Sequence, residues 1–286
     1  MADRRKMTIP DLYTMRAKGE KISWLTAYDF PSAQLMEGAG IEMILVGDSA
    51  AMTMHGHPDT MPITMDEMVS HARAVSRGAP NVFLIGDMPF MSYHKSPEDA
   101  VGNAGRFMKE CRMDAIKLEG GVRIAPTVRA IVNAGIPVMG HIGLTPQSSA
   151  MLGGYKVQGK DVESAKAMIE DARALEEAGA FGILLECVPT AVSKHIRESV
   201  DVLVFSIGAG PVCDGQLLIM HDVVGLFQAF QPKFCKQYCN LVEIMGTAFA
   251  EYRKDVKDGT FPAKENEFTI KKSELAKLEE GLAELK

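Results

Sequence analysis

Short apolar runs recur along the chain, and several of them end at a charged residue. A strand that is buried on both faces reads as a continuous apolar run, whereas an amphipathic helix repeats its apolar positions every three to four residues. The pattern therefore predicts buried strands at residues 22–28, 42–48, 82–87, 115–119, 137–141, 182–187, 202–207 and 216–220.

Helical stretches separate these runs, and their ends carry recognisable signals. Thr64 with Glu67 fits a capping box, and Ser96 before Pro97 places a capping hydroxyl ahead of a proline at the first helical position. Glycine in the left-handed conformation ends many helices. The predicted helix stops of this kind are Ala39-Gly40, Arg77-Gly78, Ala134-Gly135 and Ala178-Gly179.

Strands that alternate with helices form parallel sheets, and eight such strands close a barrel. The alternative is an open doubly wound sheet, which requires a Gly-rich phosphate loop after its first strand, and residues 28–32 (YDFPS) are not such a loop. We therefore predict an α/β fold of the (β/α)8 TIM-barrel class. The prediction is a single domain over residues 1–286, with the barrel over about 22–222 and a C-terminal helical segment over about 223–286.

The C-terminal segment ends in an amphipathic stretch. Leu275, Leu278, Leu282 and Leu285 repeat at helical spacing with charges elsewhere, which predicts one apolar stripe. Packing of this stripe against the chain's own barrel and packing against another subunit remain equally open.

Composition and charge exclude several classes of partner. The net charge is -6, and no Lys/Arg cluster with interleaved aromatic residues occurs, so nucleic acid is not expected as a partner. The N-terminal residues lack the apolar core of a signal peptide, and no apolar run approaches the ~18 residues that cross a membrane. The odd number of cysteines, five, suits thiols in a reducing compartment. We therefore expect a cytoplasmic protein.

Polar side chains end five of the predicted strands. Asp48, Asp87, Glu119 and Glu186 are carboxylates at such ends, and His141 ends the run between the last two. The C-terminal ends of barrel strands form one rim, where residues from different strands converge and where barrel enzymes carry out their chemistry. The sequence therefore predicts a catalytic site at this rim.

Converging carboxylates repel one another unless a cation lies between them, and Mg²⁺ prefers oxygen ligands with room for water. Asp48 and Asp87 are predicted to bind Mg²⁺ directly, with Glu119 bound directly or through water. A single Asp at a strand end is more often a helix cap. Recurrence on consecutive strands favours the metal, because independent caps have no reason to follow strand ends.

The remaining charged residues have separate predicted roles. Lys117 shares a strand face with Glu119, two residues on, and is predicted to neutralise a carboxylate or an enolate oxygen. His141 is either structural or a donor to a substrate oxygen. Glu186, if it does not bind the metal, is predicted to act as a base whose pKa is raised by partial burial.

A glycine-rich stretch, residues 207–210 (IGAG), closes the predicted seventh strand. Many barrels bind phosphate through backbone N–H groups at this position. Close backbone approach to any ligand and a simple tight turn explain the stretch equally well.

These residues lie in longer stretches that resemble the ketopantoate hydroxymethyltransferase (3-methyl-2-oxobutanoate hydroxymethyltransferase) family. The resemblance extends over roughly residues 8–262 in family order. It is carried by LTAYD at 25–29, LVGDS at 45–49, GHPDTMPIT at 56–64, RGAPNVFLIGDMPFMSY at 77–93, KLEGG at 117–121, GHIGLTPQS at 140–148, GGYKVQG at 153–159, LLECVP at 184–189, IGAGPVCDGQLLIMHDVVG at 207–225 and PKF at 232–234.

The resemblance implies a barrel of the phosphoenolpyruvate/pyruvate type and a set of residue roles. Asp48 and Asp87 would hold Mg²⁺ at the oxoacid, Glu119 would support it, and Glu186 would be the general base. Ser49, Lys117 and His141 would bind the substrate. The implied reaction adds a hydroxymethyl group from 5,10-methylenetetrahydrofolate to 3-methyl-2-oxobutanoate through a Mg²⁺-stabilised enolate, giving 2-dehydropantoate. The implied assembly is a cytoplasmic homo-oligomer, commonly a decamer.

Two alternatives compete with this interpretation. Another Mg²⁺-dependent, enolate-forming lyase of the phosphoenolpyruvate/pyruvate barrel type would share the strand-end carboxylates, but would be expected to carry a catalytic Cys or a longer acidic metal loop. A non-enzymatic barrel would be expected to lack at least one of the metal carboxylates, and all are present.

Overall fold

Eight parallel strands form a closed barrel in which each strand pairs with the next in sequence and β8 returns to β1. The structure, a computed structural model, describes residues 5–283. The strands are β1 Ile22–Thr26, β2 Met43–Val46, β3 Phe83–Asp87, β4 Ala115–Glu119, β5 Val138–Gly143, β6 Gly182–Glu186, β7 Leu203–Ile207 and β8 Gly215–Leu218.

Helices connect the strands and extend past the last one. They are α1 Ile9–Ala17, α2 Phe30–Gly38, α3 Ala50–Thr53, α4 Met65–Gly78, α5 Pro97–Cys111, α6 Ala125–Asn133, α7 Ser149–Leu152, α8 Val162–Glu177, α9 Thr190–Ser199, α10 Met220–Val223, α11 Leu241–Asp258 and α12 Lys272–Ala283. Short 3₁₀ turns lie at Val122–Ile124, Pro146–Ser148 and Lys264–Asn266. The predicted TIM barrel is confirmed.

All eight predicted strands are present, with shifts of one or two residues at some ends. The largest shifts concern the rim. β2 ends at Val46, so Asp48 lies beyond the strand, whereas β5 continues past His141 to Gly143. The backbone N–H of Asp48 leaves the strand ladder because it donates to the Oδ2 atom of Asp87 at 3.0 Å.

The predicted helix caps are confirmed, with one exception. The hydroxyl of Thr64 accepts from the N–H of Glu67, and that of Ser96 accepts from the N–H of Asp99. Gly40, Gly135 and Gly179 adopt φ values of 85°, 83° and 96°. The prediction that Gly78 ends its helix in a left-handed conformation is wrong: it belongs to the last turn of α4. A Cβ there would lie 2.4 Å from the carbonyl oxygen of Phe30, so close packing of α2 and α4 requires the glycine.

The apolar core has two layers. One lies between the strands and the surrounding helices, and the other fills the barrel interior. Interior packing includes an edge-to-face contact between Trp24 and Phe205, whose ring centroids are 5.2 Å apart. Because side chains alternate along a strand, interior Phe83 and Ile85 place Asp87 inside as well.

By its contacts the described chain forms two compact units, one ending at Tyr238 and one starting at Cys239. The first contains the barrel, and the second contains α11 and α12. This division lies later in the chain than the predicted boundary near 222, and the organisation as a single domain stays a prediction. Leu275, Leu278 and Leu282 are exposed on α12, and Leu285 lies outside the described residues. Within residues 5–283, no helix has the length and apolarity needed to cross a membrane.

Candidate active site

The rim at the C-terminal ends of the strands brings the predicted residues together. On β4 the interior face carries Ala115, and strand alternation adds Lys117 and Glu119 to the same face. In the sheet register Asp87 pairs with Lys117, and Glu119 pairs with His141. Neighbouring strands therefore place an acidic side chain beside a basic one in one pair, and beside a histidine that can be neutral or positive in the other.

Lys117 is the buried cation of this rim. Its Nζ lies 2.8 Å from the Oδ1 of Asp87 and 3.3 Å from the Nδ1 of His141. Burial alone would lower the pKa of Lys117, but the carboxylates of Asp87, Glu119 and Asp48 reverse that effect and raise it. Lys117 is therefore charged, as the sequence predicted from its place beside Glu119.

His141 lies between two carboxylates. Its Nδ1 is 3.5 Å from the Oε1 of Glu119, and its Nε2 is 3.1 Å from the Oε2 of Glu186. Burial raises the pKa of Glu119 to about 8 and also raises the pKa of Glu186, although His141 opposes the latter shift. Burial and nearby Lys117 lower the pKa of His141. A carboxylate with a raised pKa beside a neutral imidazole has the properties of a general base.

The residues predicted to bind Mg²⁺ fit that ion. Among the described residues, Asp87 Oδ1 and Glu119 Oε1 are buried oxygens without a hydrogen-bond donor, although Lys117 forms an ion pair with the former. Burial raises the pKa of Asp87, Lys117 opposes this shift, and the nearby carboxylate of Asp48 adds to it. Within residues 5–283 no group of three or more His, Cys, Asp or Glu residues could by itself hold a metal. Two carboxylates suffice for Mg²⁺, which usually keeps several waters and binds substrate oxygens.

Ser49 follows Asp48 directly, at the start of α3. Its hydroxyl lies 2.8 Å from the phenol oxygen of Tyr28, which is fully buried. Burial raises the pKa of Tyr28 to about 12, so the phenol is neutral and can donate. The Ser49 hydroxyl is thereby held at the cavity wall, as its predicted role in substrate binding requires.

The structure adds two buried residues that sequence reasoning missed, Gln147 and Tyr93. The side-chain amide of Gln147 donates to the Oδ2 of Asp48 at 2.9 Å and to the carbonyl of Met88 at 3.0 Å, and its backbone N–H donates to Glu119. Tyr93 donates to the Oε1 of Gln147 at 2.7 Å and accepts from the N–H of Glu119. Together they orient two of the predicted metal carboxylates. Their only sequence signal is their place in the stretches PFMSY and GLTPQS.

Gln147→Met is expected to weaken the site through its geometry. Methionine nearly matches the size of glutamine but leaves Asp48, the Met88 carbonyl and the Tyr93 hydroxyl without their partner. Buried groups that lose a partner cost about 1–3 kcal/mol each, and partners of metal ligands contribute about 10–100-fold to metal affinity. Urea unfolding and Mg²⁺ titration by calorimetry measure both effects. Gln34→Met, on the exposed face of α2, is the matched control, and equal behaviour of the two variants would contradict the prediction.

A cavity of about 520 Å³ opens at the rim above these residues. Its inner part is lined by the charged residues and by Leu45, Leu184 and Leu217. Its wall also includes Phe234, which explains the glycine-rich stretch after β7. A Cβ on Gly208 would lie 2.5 Å from the Cδ1 of Phe234, so this glycine allows close approach of an aromatic ring.

Comparison with solved structures places the barrel among known folds. Phosphonopyruvate hydrolase in a complex with oxalate and Mg²⁺ aligns with a TM-score of 0.60 at 14% identity, covering 98% of both chains. A 2,3-dimethylmalate lyase of the PEP mutase/isocitrate lyase superfamily aligns with a TM-score of 0.58 at 16% identity, covering 95% of both chains. This likeness confirms the predicted TIM-barrel fold. At such low identity it carries fold information only.

Sequence relatives are much closer. A 3-methyl-2-oxobutanoate hydroxymethyltransferase of Alkaliphilus metalliredigens (strain QYMF) is 55% identical over 266 residues, covering 93% of this chain and 94% of the relative. The enzyme with that name from Moorella thermoacetica (strain ATCC 39073 / JCM 9320) is 52% identical over 268 residues, covering 94% of this chain and all of the relative.

A family model described as ketopantoate hydroxymethyltransferase matches residues 6–264. The match spans the barrel and every predicted site residue from Asp48 to Glu186. The family resemblance drawn from the sequence is thereby confirmed. The lyase alternative is supported only by the similarity in fold. The chain belongs to the ketopantoate hydroxymethyltransferase family, a family of enzymes.

Proposed function

We propose that the protein transfers a hydroxymethyl group from 5,10-methylenetetrahydrofolate to 3-methyl-2-oxobutanoate, giving 2-dehydropantoate. One observation carries the proposal beyond the names of the relatives. A carboxylate pair suited to Mg²⁺, Asp48 and Asp87, shares a cavity with a buried cation, Lys117, and with a separate carboxylate, Glu186. Enolate chemistry on a small oxoacid needs these three functions together.

Asp48 and Asp87 would hold Mg²⁺, with Glu119 bound directly or through water. The ion, when bound, supplies Lewis-acid stabilisation of the negative charge that develops on the oxoacid oxygens. Gln147 holds Asp48 through its amide, and the N–H of Asp48 holds Asp87, so the two carboxylates are oriented before any ligand arrives.

The remaining residues bind the oxoacid and move its proton. Ser49 donates its hydroxyl hydrogen to the substrate carboxylate, and Lys117 offers positive charge to the substrate oxygens. His141 keeps its Nε2 beside Glu186 at 3.1 Å, which orients that carboxylate. Glu186 then removes the proton at C3, because its pKa is raised by burial and it remains outside the predicted metal ligands.

Loss of the C3 proton leaves a nucleophilic carbon, which forms a bond to the methylene carbon of the folate donor. Both bonds between that methylene and the two folate nitrogens, N5 and N10, break, and each electron pair stays with its nitrogen. Water forms a bond to the methylene carbon through its oxygen, which becomes the hydroxyl group of the product. One nitrogen takes the proton held by Glu186, and the other takes the proton that the water loses. Tetrahydrofolate is released.

The direct test is product formation. The purified protein is incubated with Mg²⁺, 3-methyl-2-oxobutanoate and 5,10-methylenetetrahydrofolate, and 2-dehydropantoate is sought by mass spectrometry. Omission of each component in turn is the control. Absence of product from protein with bound Mg²⁺ would contradict the proposed function.

The proposal includes a cytoplasmic homo-oligomer, a decamer of two pentameric rings. Helix α11 exposes Ile244, Phe249 and Tyr252, and exposed apolar surface of this kind often marks protein contacts. Light scattering after size-exclusion chromatography is expected to give ten copies of the 31.1 kDa chain. Phe249→Glu is expected to shift the mass downwards, because it places a charge in the contact. A monomeric wild-type protein would contradict the prediction.

A further inference from the structure

A further carboxylate, that of Asp222, lines the same cavity from a different part of the barrel. Asp222 lies in α10, directly after β8, and only 9% of it is exposed. It lines the cavity together with Asp48 and Glu186. Among the described residues, no side chain or backbone N–H donates to its carboxylate, and burial raises its pKa to about 6. A carboxylate that lines a cavity and accepts no hydrogen bond from the protein is available to a ligand that carries N–H donors.

The aromatic residues that line the cavity with Asp222 indicate the shape of such a ligand. Phe230 and Phe234 line the same cavity, and both side chains are partly exposed. The absence of a side chain on Gly208 lets the ring of Phe234 approach the end of β7. Flat apolar faces near a carboxylate suit a planar heterocycle that stacks on aromatic rings and presents N–H donors at one edge.

The size of the cavity separates this region from the oxoacid site. A volume of about 520 Å³ falls in the range of pockets for drug-sized ligands, and a small oxoacid held at Asp87 and Lys117 leaves much of it empty. Asp222 follows β8, whereas Glu186 ends β6, and β7 lies between these strands. The cavity therefore has room for a second, larger ligand beside the oxoacid.

We propose that Asp222 binds the pterin ring of the folate co-substrate by accepting hydrogen bonds from its N3–H and 2-amino groups. The assignment rests on the proposed function, which supplies the folate. A carboxylate presents two oxygens with the spacing of such adjacent donors, and hydrogen bonds to a charged acceptor are stronger than those between neutral groups. Phe230 and Phe234 provide apolar contact to the ring faces.

The test compares two folates on two proteins. Binding of tetrahydrofolate and of its 2-desamino-2-methyl analogue to the Mg²⁺-loaded protein is measured by calorimetry for the wild type and for Asp222→Asn. The variant is expected to bind tetrahydrofolate about 10–100-fold more weakly, which corresponds to the loss of hydrogen bonds to a charged group. It is expected to lose less affinity for the analogue, which lacks the 2-amino donor and keeps only the N3–H. Asp201→Asn is the matched control, because it removes the same negative charge at an exposed position just before β7.

A reaction without folate distinguishes failure of the Asp222 assignment from failure of the proposed function. Exchange of the C3 proton of 3-methyl-2-oxobutanoate in D₂O is expected to proceed at the wild-type rate in Asp222→Asn, which also shows that the variant is folded. Wild-type affinity for tetrahydrofolate, equal losses for both folates, or loss of the exchange would each overturn the assignment to Asp222. A wild-type protein that neither exchanges the proton nor binds tetrahydrofolate overturns the proposed function as well.

Discussion

Glu186→Gln is expected to abolish exchange of the C3 proton of 3-methyl-2-oxobutanoate with D₂O while leaving Mg²⁺ and oxoacid binding nearly intact. The amide keeps the shape of the side chain and can still interact with the Nε2 of His141, 3.1 Å away from the carboxylate in the native protein. It has no basicity at neutral pH. Loss of a general base costs about 10²–10⁴-fold in rate, and proton NMR without folate measures this step alone.

The control for this variant is Glu170→Gln, the same chemical change on the exposed face of α8. It is expected to exchange the proton at the wild-type rate. Should Glu186→Gln also exchange at the wild-type rate, the base lies elsewhere, and His141 is the next residue to test. A large fall in Mg²⁺ affinity in Glu186→Gln would instead make this residue a metal ligand.

Asp87→Asn is expected to lower Mg²⁺ affinity at least about 100-fold, since the loss of a direct ligand exceeds the 10–100-fold effect of its supporting contacts. It also removes the partner of Lys117, 2.8 Å away. Breaking a buried ion pair from one side costs about 3–5 kcal/mol, so the free energy of unfolding is expected to fall although the volume is unchanged. Calorimetric titration and urea unfolding measure the two effects.

A double variant separates the metal from the fold. Asp87→Asn with Lys117→Met removes both members of the buried pair, so it is expected to recover much of the lost stability without recovering Mg²⁺ affinity. Unchanged Mg²⁺ affinity in the single variant would show that Asp87 only pairs with Lys117. Recovery of affinity in the double variant would show that the effect came from an unpaired lysine.

Much of the fold and part of the candidate site could be predicted from local patterns. Each barrel strand is buried on both faces, so its apolar run is visible without knowledge of its neighbours. A charged residue at the end of such a run, as at Asp87 or Glu119, marks the rim. The family resemblance extended this list to Ser49 and assigned roles. The exact strand ends could not be predicted, because hydrogen bonds beyond the ladder, such as that from Asp48 to Asp87, are invisible in sequence.

Gln147, Tyr93 and Asp222 were missed for a common reason. None of them ends an apolar run: Tyr93 and Gln147 lie in loops or turns after β3 and β5, and Asp222 lies in the short helix after β8. A polar residue in a loop is usually solvated, and only its burial identifies it as part of a site. That burial depends on contacts between residues far apart in sequence, such as the 2.9 Å hydrogen bond from Gln147 to Asp48.

The sequence by itself determined the barrel, its rim and the identity of the groups there, because strand periodicity and residue type are local properties. Tertiary structure alone decided how those groups pair. Lys117 forms an ion pair with Asp87 on the neighbouring strand and not with Glu119 two residues away, since the register places Asp87 beside Lys117. It also decided the pKa of each group, because burial is the largest influence on Glu119 and Glu186 and arises only when the barrel closes.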